Sequence, residues 1–569
     1  MRFAWFAALL LVAGAVSMTA DDQQSRRPLV GRSLVATRLG IVAASQPLAA
    51  RAGVQVLERG GHAVDAAIAA NAVMGLTEPT GNGVGGDLFA LVYDAKTGTL
   101  HGLNASGWSP HELTREFLQA KGITEMPERG PYTVTVPGVV AGWDALRERF
   151  SRLPFEDLMA PAIHYAREGF PVAEVTSKGW AASVPMLSKE PNAARTFLID
   201  GKAPEAGQIF RNPDLAGTLE RIAAQGRDGY YRGPVAEAIV AMLKGRGSPM
   251  SLDDVAEFKA EWVRPIQTTY RGWTVSEIPP QGQGIAALMM LNLMEQHPLG
   301  QFGFHSPKAL HVMIEAKKLA YADMLRYVGD PRFSEIPVAQ MLDKSRAPAR
   351  AALIEMSTAK CSVQPSRFDG ITDSQGNDTI YLSVVDKDGN MVSLIQSNYA
   401  GFGSGLVPDG VGFMLHNRGA LFTLTPGQPN TLEGRKRPLH TIIPGFMEKD
   451  GTRISFGIMG GWNQAQAHAQ FVANIADYGF NAQEALEAGR FTKGTFEGCD
   501  LEIEVLVPES TRTALTALGH QLDVRPHRTS IFGFGQATVS RPDGVHLGAS
   551  EPRHDGAAIP EAPAVFGTR

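Results

Sequence analysis

The chain has 569 residues, of which 44% are hydrophobic, 20% charged and 8% aromatic. This balance is typical of a globular protein with a large core, and it excludes a disordered or collagen-like chain. The 53 Lys and Arg residues against 58 Asp and Glu give a net charge of −5, which argues against a nucleic-acid binder, since such proteins are usually basic.

The N-terminus has the pattern of a secretory signal peptide. Met1 and Arg2 precede an apolar run over residues 3–16, and small residues follow up to Ala20. We predict a signal peptide over residues 1–20, cleaved after Ala20 or Ser17, and a soluble periplasmic or secreted protein. The alternative is a buried first helix. No later stretch has the roughly 18 apolar residues that a membrane span requires.

Helical and strand patterns alternate from residue 47, and helical patterns are predicted to dominate from about 155 to 360. Apolar spacing and the positions of Pro and Gly indicate helices over residues 47–59, 63–76, from about 139, 158–168, 213–224, 285–295 and 308–326. A glycine turn over residues 82–87 leads into a predicted strand over residues 88–93.

After residue 379 the pattern changes to strands. Strands are predicted over residues 379–385, 391–396 and 454–458, with hairpin turns at 387–390 and 449–451. A helix-rich first part and a strand-led second part predict an α+β protein in which helices are layered on sheets.

Metal and cofactor signals are weak. Gly-x-Ser-x-Gly, Walker and His-Glu-x-x-His motifs are absent from the sequence. His311 and Glu315 lie one turn apart on a predicted helix, which is more typical of a surface pair than of a metal site. Cys361 and Cys499 exclude a Cys-based zinc cluster. They can pair in an oxidising compartment, but two unpaired, buried thiols are an equal alternative. We predict no metal and no cofactor.

Asp378 and Thr379 end a polar stretch and begin a predicted strand. A threonine at the start of a strand is ordinarily only a β-branched residue in a favourable place. It gains a chemical role if the chain is cut before it, because the free α-amine can then accept the proton of the threonine hydroxyl.

The chain resembles the γ-glutamyltranspeptidase family of N-terminal nucleophile hydrolases from about Gly40 to Asp555. The matching motifs occur in the order of the family: Ser45-Gln46-Pro47-Leu48-Ala49, residues 60–67, Gly83-Val84-Gly85-Gly86, Val136-Pro137-Gly138, Ala160-Pro161-Ala162, residues 315–331, Asp378-Thr379 with residues 383–390, Gly403-Ser404-Gly405, Lys436-Arg437-Pro438-Leu439, Gly460-Gly461 and residues 548–553. Each motif is weak alone, and the ordered set carries the resemblance.

The resemblance implies a four-layer αββα sandwich made as one inactive precursor. It implies self-cleavage of the Asp378–Thr379 bond into a large subunit of residues 21–378 and a small subunit of residues 379–569, which stay together as a heterodimer. Thr379 then corresponds to the nucleophile, first in processing and later toward substrate. Ser397 matches a second hydroxyl residue, usually threonine, that hydrogen-bonds the nucleophile or its amine. Gly460 and Gly461 match the pair whose N–H groups form the oxyanion hole.

The resemblance fails at the residues that recognise glutamate. The family uses an arginine to bind the α-carboxylate; the matching stretch here is residues 104–110, with Ser106 at the position of the arginine. The family also has two adjacent serines that bind this carboxylate, and His440 and Thr441 occupy their positions here. The family's glutamine falls at Arg418, and its aspartate for the α-ammonium falls at Leu421. Arg418 is expected to supply positive charge to an acidic acyl group and His440 a polar contact, or else both are structural substitutions.

Three functions are consistent with the sequence. The first is a self-processing threonine amidohydrolase or acyltransferase that cleaves γ-glutamyl amides, with water or an amine as acceptor. The second is an acylase or amidase of the same fold that acts on glutaryl-type or other small acidic amides. The third is a non-catalytic binding protein that retains the scaffold.

Overall fold

The computed structural model describes residues 31–366 and 380–565. The strands, in chain order, are β1 Val35–Thr37, β2 Ile41–Ala44, β3 Asp87–Asp94, β4 Thr99–Ala105, β5 Phe170–Pro171, β6 Ile209–Phe210, β7 Glu261–Val263, β8 Ile266–Tyr270, β9 Trp273–Glu277, β10 Ile380–Val385, β11 Met391–Ser397, β12 Gly445–Lys449, β13 Thr452–Ile458, β14 Phe491–Thr492, β15 Asp500–Glu504, β16 Gln521–Arg525, β17 Gly535–Ser540, β18 His546–Ser550 and β19 Ala557–Pro560.

The helices follow the same numbering by chain order. They are α1 Pro47–Glu58, α2 Ala63–Thr77, α3 Arg115–Gln119, α4 Val139–Phe150, α5 Phe155–Glu168, α6 Glu174–Leu187, α7 Pro191–Phe197, α8 Pro213–Gln225, α9 Asp228–Tyr231, α10 Gly233–Gly245, α11 Leu252–Ala256, α12 Gly284–Met294, α13 Leu299–Phe302, α14 Pro307–Tyr327, α15 Val338–Met341, α16 Ala347–Ala351, α17 Asn463–Ala476, α18 Ala482–Glu487 and α19 Glu509–Ala517. No helix in these two ranges is long and apolar enough to cross a membrane.

Two antiparallel seven-stranded sheets form the centre of the protein. Sheet I has the order β1-β18-β17-β13-β12-β9-β8, and sheet II has the order β19-β2-β10-β11-β3-β4-β7. The sheets pack face to face, and polar contacts cross between them. Ser383 on β10 of sheet II lies 2.7 Å from the hydroxyl of Thr538 on β17 of sheet I, and it also contacts Ser455 on β13.

Helices cover the outer face of each sheet. α1 and α2 pack on sheet II, whereas α12 and α17 pack on sheet I. α2 is buried along nearly its whole length, which explains why its sequence is rich in alanine and almost free of charge. The four layers confirm the αββα sandwich that the resemblance implies.

Most predicted elements are confirmed within a few residues, but one stretch is wrong. Helices do dominate residues 155–360, but no strand was predicted there, whereas the structure has five, β5 to β9. β8 forms one edge of sheet I, and although its burial alternates, one of its two buried positions is the polar Thr268, so apolar alternation in the sequence is weak.

The two cysteines form a disulfide. Cys361 and Cys499 are bonded, with their Cα atoms 4.6 Å apart, so the alternative of two unpaired thiols is wrong. The sequence did not predict this pairing, because the two cysteines are 138 residues apart and their segments meet only in the tertiary structure. The Gly498 N–H donates a hydrogen bond to the Cys361 carbonyl at 2.7 Å beside the bond. The predicted signal peptide lies outside the described residues.

Candidate active site

The predicted site residues gather at one end of the two sheets. β11 ends at Ser397, which pairs with Asp87 at the start of β3, and β10 starts at Ile380, which pairs with Gln396. β13 passes over the start of β10, since a Cβ atom at Gly457 would lie 2.4 Å from the Tyr381 ring. Gly460 and Gly461 follow β13 at this same end. Asp378 and Thr379 directly precede β10 in the sequence and lie outside the described residues.

Gly460 and Gly461 form a turn whose backbone carbonyls are all held. The carbonyl of Met459 accepts a hydrogen bond from Asn463 Nδ2 at 3.2 Å, and that of Gly460 accepts one from the Asn463 N–H at 3.0 Å. The carbonyl of Gly461 accepts from Gln283 Nε2 at 2.7 Å and from the Gln464 N–H at 3.1 Å.

Within the part of the chain that the structure describes, the N–H groups of this turn have no hydrogen-bond acceptor. Neither the Gly460 nor the Gly461 N–H donates to another described residue. Because a trans peptide places its N–H opposite its carbonyl, holding the Met459 and Gly460 carbonyls turns both N–H groups the other way. Both glycines have positive φ, +117° and +61°, which side chains rarely tolerate. Two neighbouring N–H donors that no described residue accepts from are suited to binding an oxyanion.

Arg418 is fully buried, and its charge is paired inside the protein. Its guanidinium donates to the Asp87 carboxylate at 2.8 and 3.2 Å and to Thr441 Oγ1 at 2.7 Å. It also lies over the Tyr399 ring, 4.7 Å from the centroid. The sequence analysis assigned Arg418 a possible contact with substrate and did not identify Asp87 as its partner.

His440 completes the cluster around Asp87. Its Nε2 donates to Asp87 Oδ2 at 2.8 Å, and its Nδ1 accepts from the Ile442 N–H at 3.2 Å, so both ring nitrogens are used by the neutral imidazole. Burial and the nearby Arg418 charge lower the pKa of His440 to about 4. Burial opposes ionisation of Asp87, but Arg418 and the histidines outweigh it and hold the Asp87 pKa well below its usual range. The cluster therefore has no net charge at neutral pH.

A glycine-rich loop packs against the end of β11. A Cβ atom at Gly85 would lie 2.1 Å from the Met414 carbonyl oxygen, and one at Gly86 would lie 2.3 Å from that of Ser397. The loop thus needs glycine for close packing, and it positions Asp87 beside Ser397. Next to Ser397, neither amide atom of the buried Asn398 is hydrogen-bonded to a described residue, which leaves a polar group available at this end of the sheet.

Two further positions that depart from the glutamate-binding pattern, Ser106 and Leu421, are also buried. Ser106 follows β4, and its Oγ accepts from Gln281 Nε2 at 3.0 Å. Leu421 ends the 3-10 turn Arg418–Leu421 and is 1% exposed. It belongs to the apolar core formed by sheet I, the helices that cover it and the facing side of sheet II. An α-ammonium group would find no carboxylate at Leu421.

A second buried polar cluster lies away from this end. His311 and Glu315 are buried on α14, so the expected surface pair is wrong, and their ligand atoms lie within 4.8 Å of one another and of the His520 ring. Glu315 is paired with the Lys318 ammonium at 2.6 Å, and His311 Nδ1 lies 2.9 Å from His520 Nε2. The Lys318 charge opposes a divalent cation here.

Comparison with known proteins identifies the family. The sequence profile of the gamma-glutamyltranspeptidase family matches residues 49–561. The chain belongs to the γ-glutamyltranspeptidase family. Members share the N-terminal nucleophile hydrolase fold, in agreement with the αββα layers.

The relatives in this family carry different activities in their names. A glutathione hydrolase-like YwrD proenzyme of Bacillus subtilis is 35% identical over 93% of this chain and 100% of its own length. The acylase ACY 1 proenzyme of a Pseudomonas species is 32% identical over 96% of both chains. The crystal structure of cephalosporin acylase from Bacillus halodurans is 40% identical, with a TM-score of 0.87 over 93% of this chain and 97% of that one.

Sequence reasoning missed Asp87, Gln283 and Asn398. Asp87 had a usable signal, because it is a charged residue at the start of a strand that is otherwise apolar. Gln283 had none, since it lies between a proline-rich turn and an apolar helix, where a polar residue is unremarkable. Asn398 stands beside Ser397 in the sequence, and only its burial without a partner distinguishes it.

Proposed function

We propose that this chain is a self-processing N-terminal threonine amidohydrolase that forms an acyl-enzyme on Thr379. The observation that supports it most is the glycine turn after β13, whose two unpaired N–H groups lie at the same end of the sheets as Ser397 and the start of β10. Membership of a family whose relatives are named proenzymes supports the self-processing step.

Processing begins with an attack by Thr379 on its own peptide bond. The Thr379 hydroxyl attacks the Asp378 carbonyl, the C–N bond breaks as the nitrogen takes a proton, and an ester replaces the peptide. Water then hydrolyses the ester, which yields a carboxyl group on Asp378 and a free amine on Thr379. Ser397, at the end of β11, is the group proposed to hydrogen-bond this hydroxyl or amine.

The mature enzyme repeats the same chemistry on a substrate amide. The α-amine of Thr379 accepts the proton of its hydroxyl as the oxygen attacks the amide carbon. The Gly460 and Gly461 N–H groups stabilise the negative oxygen of the tetrahedral intermediate. The C–N bond breaks and the leaving amine takes the proton, and water or an acceptor amine then attacks the ester to release the acyl group.

Two classes of acyl group remain, and the pocket favours one that lacks an α-ammonium. A γ-glutamyl group carries both an ammonium and a carboxylate, and Leu421 and Ser106 offer neither ion partner. A glutaryl-type or other small acyl group leaves no ammonium to desolvate. The 40% identity to a cephalosporin acylase supports the same class. Export to the periplasm or medium remains part of the proposal.

A reducing denaturing gel tests the proposal. At the mean residue mass of the chain, the cut should give bands of about 38 kDa for residues 21–378 and about 20 kDa for residues 379–569. Thr379→Ala should remain one band, because no attacking hydroxyl is present. A Thr379→Ala protein that still splits at this bond contradicts the assignment of the nucleophile, and a wild-type chain that never splits favours the non-catalytic alternative.

A further inference from the structure

Gln283 links the glycine turn to the segment that carries His440 and Thr441. It lies just before α12 and is 0% exposed. One proton of its Nε2 group is donated to the Gly461 carbonyl at 2.7 Å, and the other is donated to the Thr441 carbonyl. Both donor protons of the amide are therefore used on backbone carbonyls.

The backbone of Gln283 is fixed as firmly as its side chain. Its N–H donates to the His440 carbonyl at 3.0 Å, and its carbonyl accepts from the Ala286 N–H at 2.9 Å in the first turn of α12. On the other side of the amide, Oε1 lies 3.3 Å from the Tyr321 hydroxyl, which also contacts the Trp462 carbonyl. The amide group thus has little freedom to rotate.

The glycine turn needs such a constraint. Gly460 and Gly461 both have positive φ and no side chain, so their peptide groups can rotate more easily than those of other residues. An oxyanion donor contributes to catalysis only while it is held in the productive orientation. The Gln283 contact holds the Gly461 carbonyl and thereby restricts rotation about the glycine that carries one of the two N–H donors.

The contact is not the sole support of the Gly461 carbonyl. The Gln464 N–H also donates to it at 3.1 Å, so removal of the Gln283 amide leaves this carbonyl with one partner. The fold should therefore survive loss of the Gln283 amide, while the orientation of the turn becomes less defined.

We propose that Gln283 is a positioning residue for the oxyanion hole, acting through its hydrogen bond to the Gly461 carbonyl. The inference rests on the proposed function, and it adds a residue outside the family motifs quoted above. The residue does not touch the reacting atoms, so its loss should lower kcat and leave KM nearly unchanged.

The test compares two variants of Gln283 with a matched control. Gln283→Met has a similar size and no donor, and kcat of the processed enzyme should fall at least about tenfold while KM changes less than about twofold. Gln470→Met is the control, because Gln470 is also a buried glutamine that donates to backbone carbonyls, those of Gln466 and Phe491, away from the glycine pair. It should keep kcat within about twofold of wild type.

Gln283→Glu gives a readout that a purely structural role would not produce. Its carboxylate form has no proton to donate, whereas its protonated form has one. The ratio of its kcat to that of wild type should rise as the pH is lowered, because the donor returns. Other titratable groups near Gln283 are common to both proteins, so their titration largely cancels in the ratio. These groups are Tyr321 on α14, the Glu277–His468 pair behind Gly284, and the Asp87–Arg418–His440 cluster beyond Thr441.

The outcomes separate this inference from the proposed function. The positioning role is overturned if processed Gln283→Met has the same kcat as the wild-type enzyme. It is also overturned if Gln283→Met and Gln470→Met lose kcat to the same extent. If Gln283→Met does not fold, Gln283→Glu decides, and a kcat ratio that is independent of pH overturns the proposal. Failure of the proposed function instead shows in the wild-type chain, as absence of processing or of amidase activity.

Discussion

Asp87 carries a full negative charge where no solvent reaches it. The carboxylate is stable there because Arg418 and His440 donate to it, and the resulting cluster has no net charge. A buried ion pair adds little net stability over an apolar pair, but breaking it leaves one charge unpaired. The consequence for function is that the Arg418 charge is already balanced before any substrate enters.

Asp87→Asn should lower the free energy of unfolding by about 3 kcal/mol or more, because Arg418 would remain buried without its counter-ion. Asp388→Asn is the matched control, since Asp388 pairs with Arg152 at 2.9 Å and the two side chains are 46% and 43% exposed. An exposed pair contributes less than about 1 kcal/mol. Urea unfolding measures both. Similar small losses in the two variants would mean that Arg418 does not depend on Asp87.

Among the structural elements, the turn after β13 is the one on which the chemistry depends. Its two glycines contribute to the proposed machinery through their backbone N–H groups and not through side chains. The strand before the turn is fixed on both sides in sheet I, between β12 and β17. The turn is therefore anchored by a rigid element, as a preorganised donor pair requires.

Gly461→Val should reduce turnover of the processed enzyme roughly 100-fold or more, the usual scale for a lost oxyanion donor. A β-branched residue is strained at φ +61°, so the N–H would move. Gly451→Val is the control, because Gly451 has φ +77° at the opposite end of β13 and the same strain. The kcat values of the two variants are compared by steady-state kinetics on enzyme that has already been processed into its two subunits. Unchanged turnover in Gly461→Val would place the oxyanion hole elsewhere.

The 3-10 turn Arg418–Leu421 is expected to control acyl specificity. With Leu421 and Ser106 in the places of the ion partners, we expect the preference for a γ-glutamyl over a glutaryl anilide to be below about tenfold, or 1.4 kcal/mol. Leu421→Asp combined with Ser106→Arg should raise that preference, and each single variant shows the effect of one charge. The ratio of kcat/KM values decides. A thousandfold preference in wild type would mean that other residues recognise the amino-acid end.

Local sequence patterns predicted the elements with strong periodicity and missed those that depend on distant partners. α1 and α2 were predicted because their apolar residues and flanking glycines are local signals. β8 was missed because polar Thr268 occupies one of its buried positions, and Asp87 was missed because its partners lie more than 300 residues away. The resemblance supplied the αββα layers, the glycine pair and Ser397. The roles of Ser397 and Arg418 remain predictions.

At the scale of the whole molecule, buried histidines couple folding to pH. Burial lowers the pKa of His520 to about 3, with the Lys318 charge adding to the effect, and burial lowers that of His305 to about 4. An unfolded histidine binds a proton near pH 6.5. As the pH falls below that value, the unfolded chain takes up protons that the native protein does not, so these residues reduce stability progressively down to the native pKa.

His520→Gln should therefore lose less thermal stability than wild type when the pH is lowered from 7 to 4, by a difference of a few degrees in Tm. Carboxyl groups contribute to the pH dependence of both proteins, so only the difference between them is interpreted. His164→Gln, at an exposed position, is the control for the substitution. Parallel Tm curves for wild type and His520→Gln would contradict the prediction.

The Cys361–Cys499 bond determines whether unfolding of the processed protein depends on its concentration. Cys361 belongs to residues 21–378 and Cys499 to residues 379–569, so the bond spans the proposed cut. Two separate chains would unfold in a bimolecular equilibrium, with a midpoint that depends on protein concentration. Chains joined by the bond unfold and refold as one molecule, and dilution no longer drives them apart. If the chain is processed and exported as proposed, the bond would keep its two subunits together however far the protein is diluted.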